Sequence, residues 1–445
     1  MTSQMEAMET TADDASQSLS LLSREAEKDH EITASAWRVL REESGYSRLL
    51  LASLISGIGN WFNTTAILSL LLSLTGSGLA VGVTLALRAF PELLIGPFSG
   101  VLADRLPRKT ILIVADVVNM GLALVFILAT SQGRVWVVYV GTVAMVVVGL
   151  FRSPARSAII PNLVQREHLL AANALEGTVD GSVMIIGAVL GGVVSGAFGP
   201  TVAFVVNSLS FLASALLILS VRVPARNQRL SNASEGKSAS QRNRGLYGVV
   251  DAWREVWPLV QGSRVIVAVL LMAMLWPLGG GMLNTLISVY AFQVYHAGNV
   301  GVGVLYGAIG VGIVSGGLLA PRIGRRLMLA PGAAFILEGV FQAITPQAPW
   351  LWLAALFIAT ATMGAGVGNA AVSALLMRAT PEHTLGRIYA LMGTLSASVF
   401  ALSMLAGGVL LGVASAPLLG ACAGGLIALA GVAGAVLLWR GQASG

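Results

Sequence analysis

From about residue 49 onward, apolar runs long enough to cross a bilayer follow one another almost to the C-terminus. About 18 apolar residues in succession span the hydrocarbon as a helix. Only 11% of the 445 residues are charged, where a soluble chain of this length carries roughly a quarter. The chain therefore reads as an all-α polytopic membrane protein. Its 52 glycines fit that reading, because small residues let transmembrane helices approach closely.

The runs place spans near 49–75, 78–103, 110–130, 135–153, 174–197 and 200–221, then near 265–292, 299–321, 327–345, 350–377, 387–412 and 417–439. Twelve transmembrane helices in two sets of six predict two pseudo-symmetric bundles, residues 46–221 and 263–440. Residues 222–262 form a polar, Arg-rich connector and 441–445 a short tail. Residues 1–45 hold ten acidic and four basic side chains, too acidic for a transit peptide. They are expected to be a mostly disordered cytoplasmic tail, with either a short interfacial helix or an extended segment over Ile32–Leu40 leading into the membrane.

Loop charges set the orientation. Assigned alternately to two sides, the loops place Arg105, Arg108, Lys109, Arg156, Arg166, the connector cluster, Arg322, Arg325, Arg326, Arg378, Arg387 and Arg440 on one side. The other side receives Arg134 and little else. By the positive-inside rule the basic side is cytoplasmic and holds both termini. Which membrane it is stays open. The bases sit in short loops, so the net charge of +6 argues for topology and against nucleic-acid binding. One cysteine, Cys422, and four scattered histidines form no metal site. No phosphate-binding loop, catalytic constellation or cofactor motif appears, so neither an enzyme nor an ATP-driven pump is expected.

Between the second and third spans lies Gly100 to Lys109, GVLADRLPRK, and about 217 residues later Gly317 to Arg326, GLLAPRIGRR. The order of small residue, apolar pair, Ala, turn and basic residues repeats, so the halves are related. This turn resembles the signature G-x-L-A-D-R-x-G-R-K of the major facilitator superfamily, with Pro107 in place of a Gly and Pro321 in place of the Asp in the second copy. The stretch Arg156 to Leu175 looks like the helix 4–5 loop of the enterobactin-exporter and macrolide-efflux branch, and Pro381 to Arg387 like its helix 10–11 partner. Gly187 to Gly192 resembles the antiporter motif of helix five, with Ala188 where Pro is usual. The resemblance implies transport by alternating access, with Gly100, Asp104, Arg105, Arg108 and Lys109 as a gating motif. A carboxylate at the end of the second span needs a cation or a helix N-terminus to stabilise it. Arg105 and Arg108 qualify, and the family implies the start of helix eleven. For Arg108 and Lys109 the equal alternative is a role in topology alone.

Charges within spans are costly, roughly 2.5–3.5 kcal/mol each on insertion scales. Arg88 and Glu92 lie one turn apart in the second span, either as an intrahelical ion pair or in the transport pathway. Glu176 and Asp180, also four apart, disfavour each other's ionised form, which makes Asp180 the first candidate proton carrier. Asp116 and Glu338 fall on spans that the family places outside the central cavity, so structural pairing is expected. Arg152, at the predicted end of the fourth span, is expected to snorkel to the headgroups.

The first and seventh spans are both interrupted by polar and small residues, as Gly57, Gly59, Asn60, Trp61 and Asn63, and as Trp276, Pro277, Gly279 to Gly281 and Asn284. Broken segments in corresponding positions of two halves point to a midplane site. Asn60, Asn63 and Asn284 are candidate hydrogen-bonding groups, with Trp61, Trp276, Tyr290 and Tyr306 as apolar or stacking surface. A largely apolar cavity for a small amphipathic molecule is expected. The leading reading is a proton-coupled exporter, an antiporter that meets membrane lipid, a small-molecule substrate and the proton, and is a monomer. An uptake carrier or facilitator on the same fold is one alternative. A non-transporting receptor or scaffold that signals through the acidic tail is another.

Overall fold

The computed structural model describes residues 37–103, 106–130, 134–165, 168–222, 257, 262–320, 330–380 and 382–442. Among them run twelve long helices and no strand. These are α1 (Ser44–Thr75), α2 (Gly78–Ala103), α3 (Arg108–Val125, continued as a 3₁₀ turn to Thr130), α4 (Val135–Leu163), α5 (Leu169–Phe198) and α6 (Pro200–Ser220). The second set is α7 (Arg264–Val289, extended by a π turn to Val294), α8 (Gly298–Leu319), α9 (Ala330–Ile344), α10 (Leu351–Ala379), α11 (Glu382–Leu410) and α12 (Ala416–Gln442). Ten stretches of these helices are long and apolar enough to cross a membrane.

Local chemistry sets the boundaries. Gly76 ends α1 at φ 62°, its N–H returned to the Leu72 carbonyl, a left-handed cap that costs glycine nothing. Gly199, at φ 82°, breaks α5 from α6, and Pro200 opens α6, where its missing N–H is not needed. The chief departure from expectation is α4. It does not stop at 153 but continues through Pro154 and Pro161 to Leu163, because its arginines find partners inside the bundle. Ahead of α1, residues 37–42 are helical, with Val39 buried and Trp37 exposed. The rest of the stretch Ile32–Leu40, the acidic tail up to residue 36 and nearly all of the connector lie outside the described residues.

Packing reproduces the duplication. Helix α1 packs on α5 and α6, α3 on α4 and α6, and α2 on α4. Six helices later, α7 packs on α11 and α12, α9 on α10 and α12, and α8 on α10. The halves meet chiefly through two crossings, α2 with α11 and α5 with α8, which exchange under the same shift. Exposed tryptophans ring both ends: Trp37, Trp257 and Trp439 near the basic loops, and Trp136, Trp350 and Trp352 at the other end. Amphipathic rings favour the two headgroup levels, so the belts mark out the bilayer between them.

The first half is layered. One apolar cluster, built around Leu49, Leu112, Ile159 and Ile218, fills the basic end. Another, around Leu71, Phe126, Val138 and Phe204, fills the opposite end. Between them lies a polar stratum.

Candidate functional site

The stratum is organised by a buried ion pair. Asp116 on α3 is fully enclosed and accepts from Arg152 Nε at 2.9 Å and from Ser214 Oγ on α6 at 2.5 Å. Arg152 also donates to Ser56 on α1 at 3.2 Å, so one guanidinium ties α4 to α1, α3 and, through the carboxylate, α6. A buried charge persists only when paired and hydrogen-bonded, and both conditions hold. The structural pairing expected of Asp116 is present. The snorkelling expected of Arg152 is not: α4 runs about three turns past it, so the side chain sits mid-helix and turns inward.

Beside this pair opens a cavity of about 310 Å³. Helix α1 contributes Asn60, Asn63 and Thr64, α2 contributes Thr84 and Arg88, and α3 contributes Asn119. Helix α4 supplies Thr142, Met145, Arg152, Ser153 and Arg156. Asn60 and Asn63 were legible as candidates; the contribution of α4 was not, although Arg152 and Arg156, four apart, share one helix face. Three guanidinium groups line the cavity, which departs from the apolar cavity expected. Arg88 donates to Thr64 Oγ1 at 3.1 Å and is exposed to the cavity. The side chain of Glu92, one turn along α2, lies outside the described residues.

Arg156 pairs with Glu176 on α5, which also accepts from the Tyr46 hydroxyl at 3.2 Å. Glu176 is therefore committed to a basic-end network, whereas Asp180, a turn on, is exposed. Its neighbour Gly181 faces Val314 of α8, which places Asp180 beside the crossing of the halves.

The second half presents Tyr306 to this site. Its ring lies 5.5 Å from that of Trp61, its hydroxyl contacts Asn284 at 3.4 Å, and it stands within electrostatic reach of Arg88. Trp276 turns elsewhere, stacked on Phe400 and donating to buried Glu338 at 2.9 Å. That contact supplies the structural partner expected for Glu338. Tyr290 is fully enclosed, its hydroxyl end against Gly420 of α12. The structure thus brings together Asn60, Trp61, Asn63, Arg88 and Tyr306, with Asn284 behind. Trp276 and Tyr290 do not join them.

Helix α7 is loosened as its sequence suggests, and α11 supplies the compensation. Pro277 has no N–H for the carbonyl of Ala273, and Ser396 donates to that carbonyl at 2.7 Å. Further on, Ser403 accepts from Met282 N at 3.0 Å and donates to Leu278 O. Its hydroxyl stands inside the i→i−4 ladder, a recognised cause of helix bending. Ser403→Ala is expected to lower stability by about 1 kcal/mol and to speed hydrogen exchange at the Met282 amide. Unchanged exchange there would remove the hydroxyl from this role.

At the end away from the basic loops, the halves close on backbone. A Cβ at Gly192 would lie 2.8 Å from the Gly303 Cα, and one at Gly82 would lie 2.9 Å from the Gly408 Cα. Asn299 on α8 donates to the Ser195 carbonyl on α5 at 2.9 Å. At the basic end, Arg108 donates to the Ala158 carbonyl of α4 at 2.7 Å. Lys109 binds the Leu219 and Val221 carbonyls at the end of α6, each at 2.8 Å. A cation there satisfies orphan carbonyls and the helix dipole, so both residues hold α3 within its own half. Gly100 lies in the last turns of α2; Asp104, Arg105, Pro321 and Arg322 lie outside the described residues.

Comparison with known proteins accords with this geometry. The family model of the Major Facilitator Superfamily matches residues 49–404. The chain is 22% identical over 345 residues to Macrolide efflux protein A of Streptococcus pyogenes, covering 74% of this chain and 80% of that one. It is 30% identical over 205 residues to the uncharacterized MFS-type transporter YfiS of Bacillus subtilis (strain 168), a match over 45% of this chain and 48% of the relative. Among solved structures, a bacterial homologue of the iron transporter ferroportin in an inward-facing state superposes with a TM-score of 0.66 at 17% identity, covering 89% of this chain and 98% of that one. A bacterial homolog of the human lysosomal transporter Spinster gives 0.63 at 15% identity, covering 90% and 96%.

Proposed function

Starting from a chain that belongs to the Major Facilitator Superfamily, we propose that it is a proton-coupled exporter of a small amphipathic molecule, working by alternating access. The observation that carries this reading is the pair of symmetry-related crossings, α2 with α11 and α5 with α8, beside a polar cavity between the apolar layers. Two rigid halves joined along glycine-lined seams can rock about such a site. Similarity to a macrolide efflux protein over most of the chain supports export.

The basic end is the cytoplasmic one in this reading, with both termini inside. The turn at Gly100–Lys109 gates that end through Asp104, while Arg108 and Lys109 brace it. The second copy, with Pro321 in place of the acid, anchors topology alone. Asp180 is the proton-carrying carboxylate, since it is exposed beside the α5–α8 crossing whereas Glu176 is already paired. The transporter is a monomer in lipid.

Flux in proteoliposomes of known orientation, with and without a pH gradient, tests the proposal. Asp180→Asn is expected to keep substrate exchange and lose the response to the gradient. A gradient response equal to wild type would clear Asp180, and no gradient-driven flux for any compound of a broad panel would overturn proton-coupled export.

A further inference from the structure

The charge and the lining of the first-half cavity identify what it takes. Two carboxylates near its arginines are already matched, Asp116 to Arg152 and Glu176 to Arg156, while the side chain of Glu92, one turn from Arg88, is outside those described. Arg88 lines the cavity, and among the described side chains its hydrogen-bond partner is the Thr64 hydroxyl. Inside a low-dielectric bundle, a guanidinium open to a cavity attracts an anion far more strongly than it would in bulk water.

A second observation is independent of that charge. Asn63, Asn119 and Thr142 line the same cavity and give it a polar wall beside the guanidinium. The remaining wall, Ile67, Leu68 and Met145, is apolar. A volume of about 310 Å³ lies at the small end of ligand pockets.

We propose that this cavity is an anion subsite that binds a small amphipathic acid, its anionic group on Arg88 and its chain along Ile67, Leu68 and Met145. The inference rests on the transport reading for its purpose, and names the class of molecule that the reading left open.

The test uses the full chain in detergent with hexanoate, hexanamide and hexylamine, which share a shape and carry charges of −1, 0 and +1. Apparent affinities come from the ligand-dependent shift of the unfolding temperature. Hexanoate is expected to bind about tenfold or more tightly than hexanamide, and hexylamine more weakly than either. In Arg88→Gln the hexanoate-to-hexanamide ratio is expected to fall to about one, and Arg88→Lys should restore most of it. Should Arg88→Gln not fold, Thr64→Val carries the test, since it frees the guanidinium from its tether and should cut the ratio severalfold. Equal binding of the three compounds, as a merely water-filled void would give, overturns the proposal. So does a preference that survives these substitutions. Binding is read without flux, so discrimination among the compounds by a protein that moves nothing would uphold the subsite and sink the carrier. Flux without discrimination would do the reverse.

Discussion

Asp116→Ala is expected to destabilise the protein by about 3–5 kcal/mol, the range for removing one partner of a buried ion pair. The carboxylate is fully enclosed and serves two donors, Arg152 Nε at 2.9 Å and Ser214 Oγ. Without it, the guanidinium keeps only the Ser56 hydroxyl at 3.2 Å among its described partners, between two apolar clusters. Asp116→Asn should fall between alanine and wild type, since it keeps an acceptor and loses the charge. The double variant Asp116→Leu/Arg152→Met should be more stable than Asp116→Ala, because it leaves no charge unpaired. Denaturant unfolding in detergent micelles measures all four forms. A loss below about 0.5 kcal/mol, typical of an ordinary surface site, would mean that the pair is not what joins these helices.

The second large effect lies on the seam between the halves. Gly192→Leu adds a side chain whose first carbon would stand 2.8 Å from the Gly303 Cα and 2.7 Å from the Asn299 carbonyl. Both neighbours are backbone, so α8 has to retreat, and the contact of Asn299 with Ser195 goes with it. Overpacking of this kind costs about 1–3 kcal/mol. Applied to one conformation of a two-state equilibrium, that shifts the populations by about five- to more than a hundredfold. Transport should fall accordingly while the helices stay folded, and Gly192→Ala should show the same effect in milder form. Wild-type flux in Gly192→Leu would mean that the α5–α8 seam need not close.

Much of this arrangement was legible in the chain. Span number, the limits of α2 and the related halves follow from apolar length and from the repeated GVLADRLPRK and GLLAPRIGRR turns. Asn60 and Asn63 stood out because amides in an apolar run need a reason. Arg152 and the end of α4 were misread for one cause: hydropathy scores a residue by its cost in lipid and is blind to a partner from another helix. Asp116, 36 residues away in sequence, makes Arg152 affordable mid-bundle. The roles of Ser396 and Ser403 were hidden likewise, because nothing in α11 signals that a proline in α7 has left a carbonyl open. Trp276 and Tyr290 looked like cavity walls from their positions beside glycine and asparagine, yet Glu338 and Gly420 hold them elsewhere. In each case the missing information was long-range pairing, which period and composition do not carry.

Alternating access requires that the glycine-lined end open. The most direct measurement is the spin-label distance between Phe198 and Val413, exposed positions at that end in opposite halves, with Cys422 replaced by serine. Alternating access predicts two distance populations in lipid nanodiscs, the longer one growing in Gly192→Leu and responding to pH and ligand. A single distance that neither the substitution, the pH nor any ligand moves would contradict it.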